Sequence, residues 1–435
     1  MNQTFRQPVP TAQSNAIEGL DLIDAEADSL PKPRPPELRS RSARIVLGAS
    51  LVLIAFNLRP LFSSLSVLLP EVMQATSLST TGASLLTTLP VLCLGLFAPF
   101  APRLAQRYGA ERTLLGALAL LALGTGLRWF GSVPLLFVAT FLAGGAIAIG
   151  NVLLPGLVKR DFAGSAAVMT GLYTMALCAG SAAAAGLTLP IEHFVTGSWS
   201  GALAAWAAPT LVVLLIWIPQ ALGSRRQASH RGFRVVGLWR DRLAWQVTLF
   251  MGLQSALAYC IFGWLAPILR ERGFDAATAG AIASVSVMAQ VITCLAVPSV
   301  AVRLRDQRGI NVALVGVAVV ALLGILFAPT STVLFWAILQ GIGQGGLIAA
   351  AMTLIVLRSP DSHVAAHLSG MAQGVGYVLA ATGPLLVGLI RGWTGSFSES
   401  AFLFVALGLG AAIMGFGAGR ALHVGARTMR IDGEG

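Results

Sequence analysis

The sequence predicts an all-α polytopic membrane protein with twelve transmembrane helices in two six-helix pseudo-symmetric halves. Three observations predict it. Only 11% of the 435 residues are charged and 56% are hydrophobic, whereas soluble domains carry about 25% charged residues. Apolar runs of the roughly 20 residues needed to cross the hydrocarbon core recur along the chain. Features of the first half also return about 200 positions later.

Residues 1–43 contain Pro8, Pro10, Pro31, Pro33, Pro35 and Pro36, with acids from Glu18 to Glu37 and no apolar stretch. Such a segment buries no core and reads as a disordered cytoplasmic tail, not a signal peptide. The spans follow at 45–70, 79–101, 113–130, 133–157, 165–190, 202–222, 244–269, 277–301, 310–328, 331–357, 367–391 and 399–421. Backbone groups in hydrocarbon must satisfy one another, so each run is expected to be helical. Pro90, Pro99 and Pro384 fall within spans and predict kinks. Six spans form a half over 44–222 and six a half over 244–421. A basic linker, 223–243, divides them, and 422–435 forms a tail.

Lys and Arg set the orientation. With the N-terminus in the cytoplasm, 24 of the 29 basic residues fall on the inner side. Arg128, Arg270, Arg272 and Arg391 fall in outer loops, and Arg59 lies within span 1. Both termini and the linker are therefore expected in the cytoplasm. The net charge of +11 is spread over short inner clusters and forms no single stripe, which argues against a nucleic-acid partner. The lipid bilayer is the partner it fits. Cys93, Cys178, Cys260 and Cys294 lie inside apolar runs with no close pair, so they read as small buried hydrophobes, not metal ligands or a disulfide framework.

The internal repeat rests on several matches. Arg103 and Gly109 follow span 2 as Arg303 and Gly309 follow span 8. Gly144 and Gly343 lie 199 apart, as do Gly171 and Gly370, and Glu71 and Glu271 lie 200 apart. An even number of helices per half leaves the halves parallel, a plan used by transporters.

Arg59 is the one strong charge deep in a span. A buried Arg is costly in lipid, faces a cavity or the bundle interior, and stays cationic. It binds solute, or it caps carbonyls at a break near Pro60. Polar residues gather in particular spans: Asn57, Ser63, Ser64 and Ser66 in span 1, Asn151 in span 4, Tyr173 in span 5, Gln254, Ser255 and Tyr259 in span 7, Gln290 in span 8, Gln340 and Gln344 in span 10, and Gln373 and Tyr377 in span 11. Gln340 with Gln344, and Gln373 with Tyr377, share one face a turn apart. Together they outline a lined chamber; singly, each amide is equally an interhelical hydrogen bond. Spans 3, 6, 9 and 12 are nearly devoid of such groups and fit a lipid-facing position. Trp264 is either a stacking surface or a core aromatic. The glycines of spans 4 and 10 read as close-packing positions.

Certain segments carry a family likeness. Pro102 to Arg112, with Arg103, Arg107, Gly109 and Arg112, resembles the loop signature of the major facilitator superfamily. Ala101 stands where Gly is usual there and Gln106 where Asp is usual; the three arginines are expected to cap helix ends. Asn57-Leu58-Arg59-Pro60 with Leu68-Leu69-Pro70-Glu71 resembles the first helix of the cyanate and 2-nitroimidazole transporter family. Gly150 to Pro155 with Lys159-Arg160-Asp161-Phe162 resembles its fourth, Thr170 to Met175 its fifth, and Ser369 to Tyr377 with Gly383-Pro384 its eleventh. The resemblance spans 44–421. It implies the major facilitator fold, a multi-pass place in the inner membrane, and uptake of a small planar nitrogen-containing or anionic solute by alternating access. It implies solute-binding roles for Arg59, Asn151, Tyr173, Gln373 and Tyr377, and no cofactor.

Other readings compete. Efflux of drugs or metabolites fits the same architecture, although a fixed cation favours anionic or acceptor-rich solutes. A membrane enzyme is disfavoured, because the spans hold no carboxylate cluster, histidine pair or Ser-His-acid set. Nothing resembles the output domain of a receptor. Protons are a candidate coupling ion through Glu71 or His193, and facilitated diffusion is the alternative.

Overall fold

The computed structural model describes residues 41–162, 166–223, 233–360 and 362–430. The expected tail before residue 41, the linker stretch 224–232 and residues 431–435 lie outside the described residues, as do the side chains of Gln106, Lys159 and Thr170. The first turns of the helix Arg41–Asn57 belong to a short unit ending at Leu47; the rest belongs to a unit over Gly48–Gly435.

Twelve helical spans among the described residues are long and apolar enough to cross a membrane: Arg44–Thr76, Thr80–Phe97, Ala110–Phe130, Val133–Val158, Gly171–Thr196, Trp199–Gly223, Arg242–Glu271, Ala276–Arg303, Arg308–Phe327, Thr330–Leu357, His367–Thr394 and Ser400–Ala418, numbered 1 to 12. Spans 2, 7 and 8 begin on side-chain N-caps, with Ser79, Asp241 and Asp275 accepting from the backbone N–H three residues on. These caps satisfy helix donors that otherwise lack partners. Pro90 is carried inside a continuous helix, whereas Pro99 lies at the break between Thr80–Phe97 and Phe100–Tyr108. In span 11 the break falls at Ala381, just before Pro384.

The two halves repeat each other's packing. In the first, spans 1 and 5, 2 and 4, 3 and 4, and 3 and 6 are neighbours. In the second, spans 7 and 11, 8 and 10, 9 and 10, and 9 and 12 are their counterparts. The halves meet through span 2 on span 11, span 5 on span 8, and span 1 on span 7. The first two contacts are repeat mates and the third is its own mate, so the pseudo-twofold axis runs between spans 1 and 7. Span 7 is 78% buried over its most apolar stretch and span 12 only 33%. The exposed row Phe402, Leu409 and Ile413 on span 12 suits hydrocarbon, as expected of that span.

The even-numbered loops and the strand Arg427–Arg430 share one face of the bundle, the odd-numbered loops the other. On the even-loop face Arg160 bonds to Glu111 at 2.5 Å and Asp161 at 2.8 Å. Burial works against the Arg160 charge, and these bonds more than offset it, so its pKa is raised. The counterpart in the second half is Arg358, 198 positions on, which donates to Gln307 and to the Ala418 carbonyl.

The structure adds one feature and corrects two expectations. The end of the linker is ordered: β1, Phe233–Val236, pairs antiparallel with β2, Arg427–Arg430, in the expected tail, from Phe233↔Arg430 to Val236↔Arg427. Four residues, Phe233-Arg234-Val235-Val236, are too few for their pattern to mark a strand. Arg128 belongs to no solvent-facing loop; it is 1% exposed, in a 3-10 turn closing span 3. Arg112 stands at the beginning of Ala110–Gly126, where the unpaired backbone groups are N–H donors and not the carbonyls a cation would cap.

Candidate functional site

Span 1 is broken at its centre. The helix Arg41–Asn57 ends, and a second begins at Pro60. Pro60 has no N–H to offer the Phe56 carbonyl, and Arg59, at φ −112°, ψ −24°, keeps a right-handed conformation at the edge of helical geometry. The freed Phe56 carbonyl lies against Gly180 of span 5, where a Cβ would stand 1.9 Å from the oxygen. Asn57 steadies the break from the other side, donating to the Leu53 carbonyl at 2.9 Å and accepting from Thr210 of span 6 at 3.0 Å.

The half-buried Arg59 turns toward span 7. Its Nη1 donates to the Tyr259 hydroxyl at 3.3 Å, and its guanidinium lies 5.8 Å from the centre of the Phe262 ring. Tyr259 packs on Phe62 at 5.5 Å, Phe262 at 5.9 Å and Tyr377 of span 11 at 6.1 Å, the last edge to face. Tyr377 interacts electrostatically with Arg59 and with Tyr173 of span 5. Among the described residues no carboxylate pairs with Arg59. The result is one fixed cation beside aromatic rings, with the Tyr259 hydroxyl turned to it. Such a site offers charge-assisted donors to an acceptor-rich solute and flat faces to a ring.

The repeat explains the geometry. Arg59 and Tyr259 lie 200 positions apart, as do Phe62 and Phe262. Each is the other's mate, and the axis between spans 1 and 7 brings mates into contact. Beyond Arg59 toward the odd-loop face, Ser63, Ser66, Phe262, Leu265 and Ala283 enclose only about 10 Å³, the room of one water. Ser63 meets Ser181 at 2.5 Å beside it. About 15 Å further along the helix, a vestibule of about 480 Å³ is lined by Met73, Trp264, Arg270, Glu271, Arg391 and Phe397. Glu71 and Arg270 join the halves there at 2.6 Å, and Glu271 and Arg391 pair at 2.6 Å.

The expected residues divide. Arg59, Tyr173, Tyr259 and Tyr377 come together. Asn57 is spent on the break. Gln254, Gln340 and Gln344 are fully buried and tied between helices: Gln344 donates to the Gln254 side chain at 3.1 Å and Ser286 to Gln340 at 2.8 Å, while Gln254 itself donates to Ser255 on its own helix at 2.9 Å. Gln373 donates to Ser369 on its own helix at 2.9 Å. Asn151 Nδ2 is buried without a partner. Trp264 is a core aromatic, 1% exposed and donating to the Pro384 carbonyl at 2.9 Å. Sequence reasoning missed Phe62 and Phe262; each stands three residues after a chosen site residue, at the repeat offset, a pattern that marks them in retrospect.

Residues 47–337 match the Major Facilitator Superfamily. The chain belongs to that superfamily. It is 40% identical over 380 residues to the 2-nitroimidazole transporter of Escherichia coli (strain K12), covering 87% of this chain and 96% of that one. It is 30% identical over 352 residues to the cyanate transport protein CynX of the same organism, covering 80% and 90%. Its fold matches an inward-facing, unoccupied bacterial homologue of the human lysosomal transporter Spinster, with a TM-score of 0.69 at 15% identity over 88% of this chain and 98% of that one. As a member of the superfamily the chain is a multi-pass membrane transporter, which accounts for the repeat and the central site together. In the superfamily's loop signature Gly109 has φ +90°, a conformation that suits glycine. Arg103 and Arg107 lie over the rings of Phe100 and Tyr108, at 5.8 and 5.3 Å.

Proposed function

We propose that this transporter moves a small planar nitrogen-containing or anionic solute, cyanate-like or nitroimidazole-like, into the cell by alternating access. The observation that carries the reading is Arg59: a permanent cation with no carboxylate partner among the described residues, on the axis between the halves and walled by Phe62, Tyr259, Phe262 and Tyr377. A guanidinium presents planar, directed donors that match two acceptor oxygens or a compact anion. The names of the 2-nitroimidazole and cyanate relatives support the same solute class.

The even-loop face, with both chain ends, is the cytoplasmic side in this reading, supported by its excess of Lys and Arg. A reporter active only outside the cytoplasm, fused after residue 232, should therefore stay silent; activity there would reverse the orientation.

The deciding experiment is uptake of labelled cyanate and 2-nitroimidazole into proteoliposomes, without chemical conversion. Arg59→Ala should abolish uptake and Arg59→Lys should impair it markedly at matched insertion, because Lys keeps the charge and loses the fork. Unchanged solute affinity in Arg59→Ala would leave Arg59 as a cap on the break.

A further inference from the structure

Arg128 is 1% exposed although it lies in the 3-10 turn Leu127–Phe130, beside the exposed Trp129 and Phe130. Its Nη1 donates to the Leu61 carbonyl at 3.4 Å and its Nη2 to Thr140 Oγ1 of span 4 at 3.2 Å, while the buried Nε has no partner among the described residues. Among the described residues no carboxylate pairs with it. Arg does not shed its proton in proteins, so the charge persists in a low-dielectric interior. Leu61 lies two residues beyond Arg59, in the first turn after the break. A carbonyl has two lone pairs, so Leu61 accepts from Arg128 without surrendering its helical bond. The guanidinium thus grips span 1 where Arg59 emerges and leaves an uncompensated positive charge behind it.

We propose that Arg128 is a specificity-determining residue of the solute site: it touches no solute, and from behind the break it supplies the second positive charge that selects anionic or acceptor-rich solutes over cationic ones. This rests on the reading of Arg59 as the solute-facing cation. Unscreened buried charges act over longer distances than surface ones. The field of Arg128 therefore reaches the Arg59 position, and a solute there meets two cations for which the described residues offer no anion.

The test removes Arg59 and reads the field left behind. Arg59→Cys is made with the native cysteines replaced by alanine, and the purified protein is treated with an anionic and a cationic methanethiosulfonate of similar size. The ratio of anionic to cationic reaction rates should exceed that of free cysteine. It should fall by roughly a hundredfold in Arg128→Gln, because a unit charge about 10 Å away at an effective dielectric of about 20 shifts each reagent's rate by about tenfold in opposite directions, and be retained in Arg128→Lys. A purely structural role would slow or speed both reagents alike. A ratio unmoved by Arg128→Gln, or lost equally in Arg128→Lys, overturns the proposal. So does a ratio at or below that of free cysteine with Arg128 intact, a result that needs no change at residue 128. Failure of the functional reading shows separately, as absence of cyanate and 2-nitroimidazole flux in the unaltered protein.

Discussion

The Tyr259 hydroxyl accepts from Arg59 at 3.3 Å while its ring packs on Phe62, Phe262 and Tyr377. The two contributions can be separated. Tyr259→Phe deletes the acceptor and keeps the wall, and hydrogen bonds to charged groups contribute about 1.5–3 kcal/mol. A free Arg59 also gains a donor for solute, so KM for uptake should change severalfold with little loss of maximal rate. Tyr259→Ala removes the wall and should depress both; concentration-dependent uptake distinguishes them, and identical behaviour of the two variants would deny the hydroxyl a role. Arg59 was legible because charge is scarce inside the spans, and Tyr173, Tyr259 and Tyr377 because the chain has only four tyrosines. Phe62 and Phe262 are two among twenty phenylalanines, and composition gives no reason to choose them. The amides Gln254, Gln340 and Gln344 were conspicuous for the same reason as Arg59, yet scarcity alone does not separate a solute ligand from a bond between helices. Only the partner across the interface decides that.

At the scale of helices, the break in span 1 depends on a neighbour. Gly180 lets span 5 approach the Phe56 carbonyl that Pro60 leaves free. Gly180→Ala would place a methyl 1.9 Å from that oxygen, and two backbones would have to part. Overpacking of this kind typically costs about 1–3 kcal/mol. The variant should melt earlier in detergent and transport poorly. Gly116→Ala, on span 3, is the control: nothing lies within 4 Å of its added methyl, and helix propensity favours Ala there by about 1 kcal/mol. Equal melting of the two variants would remove the close approach as a determinant. The number and order of spans were legible from apolar length alone. The break was anticipated from Pro60, but not the glycine opposite it, because a contact between residues 56 and 180 leaves no mark in either segment's composition. Arg128 was misplaced for a related reason: charge counting assigns loops by position in the chain, whereas a 3-10 turn at the end of span 3 folds its arginine back inside.

Across the whole molecule, the 200-residue repeat predicted two halves, and the structure shows its further effect: mates meet on the axis. At the odd-loop mouth Glu71 ties the first half to Arg270 of the second at 2.6 Å. In the alternating access proposed above, that tie breaks when this face opens. Glu71→Gln should therefore populate the form open there, raising thiol labelling of a cysteine placed at Val67, which is 1% exposed here. Exchanging the charges, Glu71→Arg with Arg270→Glu, should restore protection; unchanged labelling in the single variant would mean that packing alone keeps the mouth shut. The strands β1 and β2 bear on the same movement. Where the chain comes into the second half and where it departs, it is stitched to itself across four residue pairs, and both strands rest on the beginning of span 11. That half is therefore a loop of polypeptide with its ends fastened together, and when it rocks, neither end is left trailing behind.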